Sequence, residues 1–285
     1  MVFLVIFFIE VLITAMLAGA LCGSLGVYLE RMRLLTISFT IAHAALAGAA
    51  ISIIFKVNPE LTAFFASITA ASLLEIAHSK LNISRELISM AIFSFSSAIA
   101  MLAIYLTPSV TLTSEVASLV LWGSVLATSL GKILLLVFLL LSLIIYVSAF
   151  RIEINTILFD KKLAEAEGVN VNLHATILII LTASSISVIL KLTGAFLVFA
   201  LLFNPSMSSI KLTYRRQPLI GALLGALAGG IGVFLSFYFD TPIGATISIS
   251  SSVILFASIL ASIVKERKLR QKILSKHITQ LVLSC

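Results

Sequence analysis

Apolar residues in this chain come in long unbroken blocks, without the alternation of a half-buried strand or the one-sided stripe of a surface helix. A block of about 20 apolar residues is what an α-helix needs to cross the hydrocarbon core of a bilayer. The blocks predict spans at 2–29, 34–55, 61–78, 86–106, 131–150, 173–190, 194–210, 218–239 and 245–264. A further apolar stretch, Ala117–Leu130, is short and broken by Gly123. It reads as re-entrant or interfacial, which irregular backbone tolerates where protein or a cavity covers it. The longest polar break is 151–172, and the segment 265–285 is basic with spaced apolar residues. The pattern therefore predicts an all-α polytopic membrane protein: one transmembrane domain over 1–264, about nine helices plus a short re-entrant segment, and a basic tail over 265–285.

Composition agrees. Of the 285 residues, 60% are hydrophobic and only 11% charged, and the mean hydropathy is +1.20. A soluble domain carries about 25% charge and could not cover this much apolar side chain. The first block has no basic segment before it and reads as a retained span, not a cleaved signal peptide. Cys22 and Cys285 form neither a disulfide framework nor a metal-ligand spacing.

The net charge of +7 reflects topology and gives no sign of nucleic acid. With nine spans, Lys56, Lys132 and Lys191 fall on one side, and the rest of the 19 Lys and Arg residues fall on the other. The positive-inside rule then predicts an outside N-terminus and a cytoplasmic tail in a cell membrane. Making Ala117–Leu130 a full span would destroy this bias. The tail either lies on the anionic cytoplasmic leaflet or is solvated.

Candidate chemistry is sparse. Glu10, His43 and Glu75 are ionisable groups inside expected spans, where such groups are costly. Glu75 is close enough to a helix end to snorkel, and Glu10 is about a third of the way into its span. His43 is near the middle of its span, where an imidazole ligates a metal, relays a proton or bonds a neighbouring helix. Asn204-Pro205 either kinks the seventh span or lines a polar path. Gly19/Gly23 and Gly221/Gly225/Gly229 form small-residue faces suited to close helix approach. In the 151–172 loop, Asp160 is placed to cap a short helix over Lys161–Glu167, and Gly168 to end it. No HExxH, GxSxG or P-loop pattern occurs, so the chain carries no enzyme signature, and any energy for transport would come from a partner or an ion gradient.

Several blocks, in order, resemble the ABC-3 permeases of zinc, manganese and iron transporters, over about residues 15–264. Glu30–Leu35 followed by Ile41-Ala42-His43-Ala44 resembles that family's RRM…GDALSHA stretch, and Leu121–Leu126 its LFGSIL segment. Phe159-Asp160 through Ala164 and Gly168-Val169 resembles its FD…A…GV region. Leu192–Val198 with Leu201, Leu202 and Pro205 resembles VGALLV…LL..P, and Phe237–Ala245 resembles YYLDLPSGA.

The resemblance implies a type II ABC importer-like architecture. It implies two permease copies, a cytoplasmic ATP-binding subunit that binds and hydrolyses the ATP, an extracytoplasmic metal-binding protein, and a divalent metal as cargo. Asp160, Ala164 and Gly168 would belong to the helix that couples to the ATPase. His43 would contact metal in the pathway. The family has an Asp four residues before that His, on the same helical face; here the position is Phe39. Either Glu10 or Asn204 helps complete the site, or the cargo is not a metal. A stand-alone secondary transporter would need inverted repeats and midplane charge, and neither is evident.

Overall fold

The computed structural model describes residues 2–81, 83–106, 128–193, 195–213 and 216–283. Among these, the regular structure is entirely helical. The helices are α1 (Val2–Arg31), α2 (Leu35–Phe55), α3 (Pro59–Leu81), α4 (Arg85–Tyr105), α5 (Leu130–Ala149), α6 (Arg151–Phe159), α7 (Lys161–Ala166), α8 (Val171–Thr193), α9 (Ala195–Leu212), α10 (Gln217–Phe239) and α11 (Ile243–Leu283). Eight of them are long and apolar enough to cross a membrane. The remaining expected span, the seventh at 194–210, corresponds to α9, whose 18 residues reach about 27 Å, just short of a 30 Å core.

Cross-helix contacts fix the direction of each span. The Thr40 hydroxyl of α2 donates to the Ser89 carbonyl of α4 (2.8 Å), so these two helices start at the same end. Glu75 near the end of α3 meets Arg85 at the start of α4 and Thr176 in the first turns of α8. Ser67 of α3 donates to the Ala183 carbonyl of α8 (3.3 Å), so that pair is antiparallel. Arg31, Arg33, Lys80, Arg85, Arg151, Lys161, Lys211 and Arg216 therefore gather at one end of the bundle, here the basic end.

The expected re-entrant stretch Ala117–Leu130 lies outside the described residues except for its last three positions. Its flanks are clear. Lys132 at the start of α5 pairs with Glu60 at the start of α3 (3.0 Å), away from the basic end. The chain thus leaves α4 and enters α5 at the same end of the bundle.

The core is built by close approach of small residues. Along α1 and α10, a Cβ on Gly19 would overlap the Gly225 carbonyl, one on Gly23 the Gly221 carbonyl, and one on Gly229 the Ala15 carbonyl. The positions pair at a constant sum, which describes one antiparallel seam. In lipid no hydrophobic force drives helices together, so backbone-to-backbone packing of this kind supplies the association. At its ends the seam is closed by a Phe8–Phe237 edge contact, with centroids 5.0 Å apart, and by Arg31 donating to Gln217. The α11 helix runs on through the basic segment to Leu283, 41 residues in all.

Candidate functional site

Phe39 and His43 are one turn apart on α2, as their spacing requires. The His43 Nδ1 is 2.9 Å from the Phe39 carbonyl. A carbonyl only accepts, so Nδ1 donates, and in the neutral ring Nε2 keeps its lone pair. The imidazole is half-buried against Phe93 of α4 (centroids 4.4 Å) and Phe199 of α9 (5.7 Å). Phe39 itself stacks on Phe199 at 4.2 Å and 17°. The position that carries a carboxylate in the family pattern is thus the edge of an aromatic wall. Phe93 and Phe199 were not singled out from the sequence: nothing local marks one phenylalanine among 19 as the partner of a distant histidine.

The other expected pathway residues do not join His43. Asn204 is buried, and its amide donates to Ser251 (2.9 Å) and Ser252 (3.1 Å) of α11. It ties α9 to α11, with Pro205 inside an uninterrupted helix. Glu10 lies 21 residues from the basic end of α1 and His43 eight residues from the basic end of α2. At about 1.5 Å per residue they differ in depth by roughly 20 Å. Among the described residues no three His, Cys, Asp or Glu side chains form a group that could hold a metal.

Glu75 is a structural anchor. Arg85 grips it with both fork positions, Nε to Oε1 (2.8 Å) and an Nη to Oε2 (2.9 Å). Thr176 donates to the same carboxylate (2.8 Å), and Arg85 reaches on to the Asn172 amide oxygen (3.1 Å). A forked, hydrogen-bonded pair satisfies both charges where the helices leave the apolar region. Its partners are ten and about a hundred residues away, beyond the reach of local sequence reading.

The second cluster is at the basic end. The Asp160 carboxylate accepts from the Lys162 (2.8 Å) and Leu163 (3.1 Å) amides, capping α7. Gly168 takes φ +83° just beyond the helix, where a Cβ would strain the backbone. Ala164 is fully buried, whereas Phe159 is 82% exposed and Leu163 44%. Asp160, Ala164 and Gly168 therefore shape and seat the helix; Leu163 is on its outward surface, and Phe159 is exposed just before it at the end of α6. The Lys161 ammonium donates to the Met32 carbonyl in the α1–α2 corner. Burial first, then the nearby Arg85 and Arg33, pull its pKa below the usual lysine value, with Glu165 and Glu86 opposing.

A manganese transport system membrane protein (MntC) of Listeria monocytogenes is 28% identical over 254 residues, covering 88% of this chain and 89% of the relative. A high-affinity zinc uptake system membrane protein (ZnuB) of Buchnera aphidicola is 27% identical, covering 87% and 97%. The solved structure of PsaBC from Streptococcus pneumoniae in complex with Fab has the same fold, with a TM-score of 0.74 over 88% of this chain and 90% of that one at 22% identity. The family model described as the ABC 3 transport family matches residues 5–262, and the chain, a multi-pass membrane protein, belongs to that family.

Proposed function

We propose that this chain is the permease subunit of an ABC importer for a divalent transition-metal cation. Two copies would form the pathway, a separate cytoplasmic ATPase would supply the energy, and an extracytoplasmic protein would deliver the metal. The observation that carries this reading is the family match across nearly the whole chain, with relatives named for manganese and zinc transport. The charge asymmetry supports a cytoplasmic basic end and an outside N-terminus in the cell membrane. On that orientation α7 faces the cytoplasm, and its exposed Leu163 suits a hydrophobic cleft on the ATPase.

In the pathway we assign the passing cation to the His43 Nε2 lone pair. A single imidazole without a carboxylate binds weakly, and a transported ion must also be released. Glu10 would meet the cation nearer the outer mouth, and Asn204 would hold the α9–α11 pair in register. The test is co-expression with a P-loop ATPase. The two should copurify, and vesicles should take up radiolabelled manganese or zinc only with ATP. Uptake by the chain alone, without ATP, would sink the proposal.

A second reading keeps the ABC permease and replaces the cargo with an uncharged organic molecule. The Phe39–Phe199 stack beside His43 favours it, since an aromatic wall offers dispersion contacts and no charge. Metal accumulation separates the two: on the first reading it requires the ATPase and falls in His43→Ala, whereas on the second neither the wild type nor His43→Ala accumulates metal.

A further inference from the structure

At the basic end, a cavity of about 680 Å³ opens between the last turn of α1, the α5–α6 junction and the first turn of α10. Arg31, Arg151 and Arg216 all line it, and among the described residues no carboxylate does. Among the described residues, none of the three is ion-paired; the two ion pairs found there are Arg85–Glu75 and Lys132–Glu60. The Arg31 Nε donates to the Gln217 side-chain oxygen (2.9 Å), which orients that guanidinium and leaves its outer N–H groups unused by this bond. Arg216 is the N-cap of α10 at φ +55°, with no side chain capping the helix, so the positive end of the α10 dipole opens on the same space. Three guanidinium groups beside an uncapped helix start repel one another unless an anion enters, and planar forks of this kind recognise phosphate oxygens.

The position of the cavity narrows the kind of phosphate. Arg31 ends one membrane-spanning segment, Gln217 begins another, and Arg151 comes two residues after the end of a third. The arginines therefore lie at the level where lipid headgroups meet protein. Val147, Leu158 and Phe159 give the same cavity an apolar wall, which suits the glycerol and first acyl carbons of a lipid better than a free, fully hydrated ion.

We propose that this cavity is a binding site for the phosphodiester headgroup of an anionic phospholipid, held by Arg31, Arg151 and Arg216. Basic pockets between transmembrane helices bind such headgroups by this chemistry. Because Phe159 also immediately precedes the Asp160 cap of α7, a seated lipid would buttress the base of that helix.

The experiment is native mass spectrometry of the full chain in detergent, offered phosphatidylglycerol or phosphatidylcholine with identical acyl chains. Phosphatidylglycerol should be retained about tenfold better, and the pair Arg151→Gln/Arg216→Gln should abolish that preference. Arg31 is left intact because it holds Gln217. The pair Arg151→Lys/Arg216→Lys keeps the charge and should keep most of the preference, which separates loss of the site from loss of the fold. Equal retention of the two lipids would overturn the proposal, and so would preference surviving in the Gln pair or vanishing equally in the Lys pair. Displacement of phosphatidylglycerol by equimolar glycerol 1-phosphate would assign the site to a soluble phosphate ester instead. Loss of ATPase copurification in the Gln pair with lipid preference unchanged would assign it to an acidic protein surface, also against the proposal.

Discussion

The Gly225 carbonyl on α10 occupies the space that a Cβ on Gly19 of α1 would need, and the Gly19 carbonyl does the same to Gly225. The seam has no slack at this point, because the obstructing atoms are backbone and cannot rotate away. Gly19→Ala or Gly225→Ala must push the helices apart and strip packing from Ala15 to Gly23 and from Gly221 to Gly229. Overpacking of this kind costs about 1–3 kcal/mol. Either variant should lower the thermal unfolding temperature in detergent. Gly230→Ala is the control: its nearest neighbours are flexible Met16 and Leu12 side-chain atoms at 3.5 Å or more, and it should be close to neutral.

The Glu75–Arg85 fork predicts an asymmetric pair of results. Both side chains are largely withdrawn from solvent, at 12% and 14% exposure. Glu75→Gln leaves the Arg85 guanidinium without its counter-charge and should destabilise the protein by about 3 kcal/mol. The joint change Glu75→Met/Arg85→Met removes both charges and should recover much of that loss. Helix retention against temperature by circular dichroism measures both; a double variant worse than the single one would show that the pair contributes net stability.

These two features also mark how far the sequence could be read. The glycine faces at Gly19/Gly23 and Gly221/Gly225/Gly229 are visible as four-residue spacings, but nothing in the sequence says that they pair with each other or in which register. The Asp160 cap and the Gly168 stop were legible because both act within four residues. Glu75 reads from the sequence as a group that snorkels to water; instead Arg85 holds it across a turn and Thr176 from α8, partners that no local pattern marks. The sequence likewise marked Asn204 by its neighbouring proline, while the serines that take up its amide lie 47 and 48 residues on. The tail after 264 read as a separate basic segment, and the helix runs straight through it, because no glycine or proline there interrupts α11.

Phe39→Asp tests what the aromatic wall does. The change removes the stack on Phe199, worth about 0.5–1.5 kcal/mol, and sets a carboxylate one turn from His43. On the metal reading, the imidazole Nε2 and the new carboxylate form a two-ligand site. Cation retention, measured by equilibrium dialysis with manganese or zinc, should rise about tenfold or more. The gain should disappear in Phe39→Asp/His43→Ala. No gain in the single variant would mean that the face carrying Phe39 and His43 is not on the cation's path.

The Lys161–Met32 contact links α7 to the corner from which α2 rises, and α2 carries His43 about 12 Å further along. If the ATPase moves α7, this bond passes the motion to α2 without involving the outward face at Leu163. Lys161→Met keeps most of the buried stem and loses the donor. The variant should still copurify with the ATPase and let it hydrolyse ATP, while metal uptake per ATP falls several-fold. Asp160→Ala should behave differently. Losing the cap frays α7 at a cost of about 1 kcal/mol, so association with the ATPase should itself weaken, about fivefold at equal concentrations. A pull-down titration alongside a coupled transport assay separates the two effects. Equal loss of association in both variants would mean that Lys161 shapes the docking helix and transmits nothing through Met32.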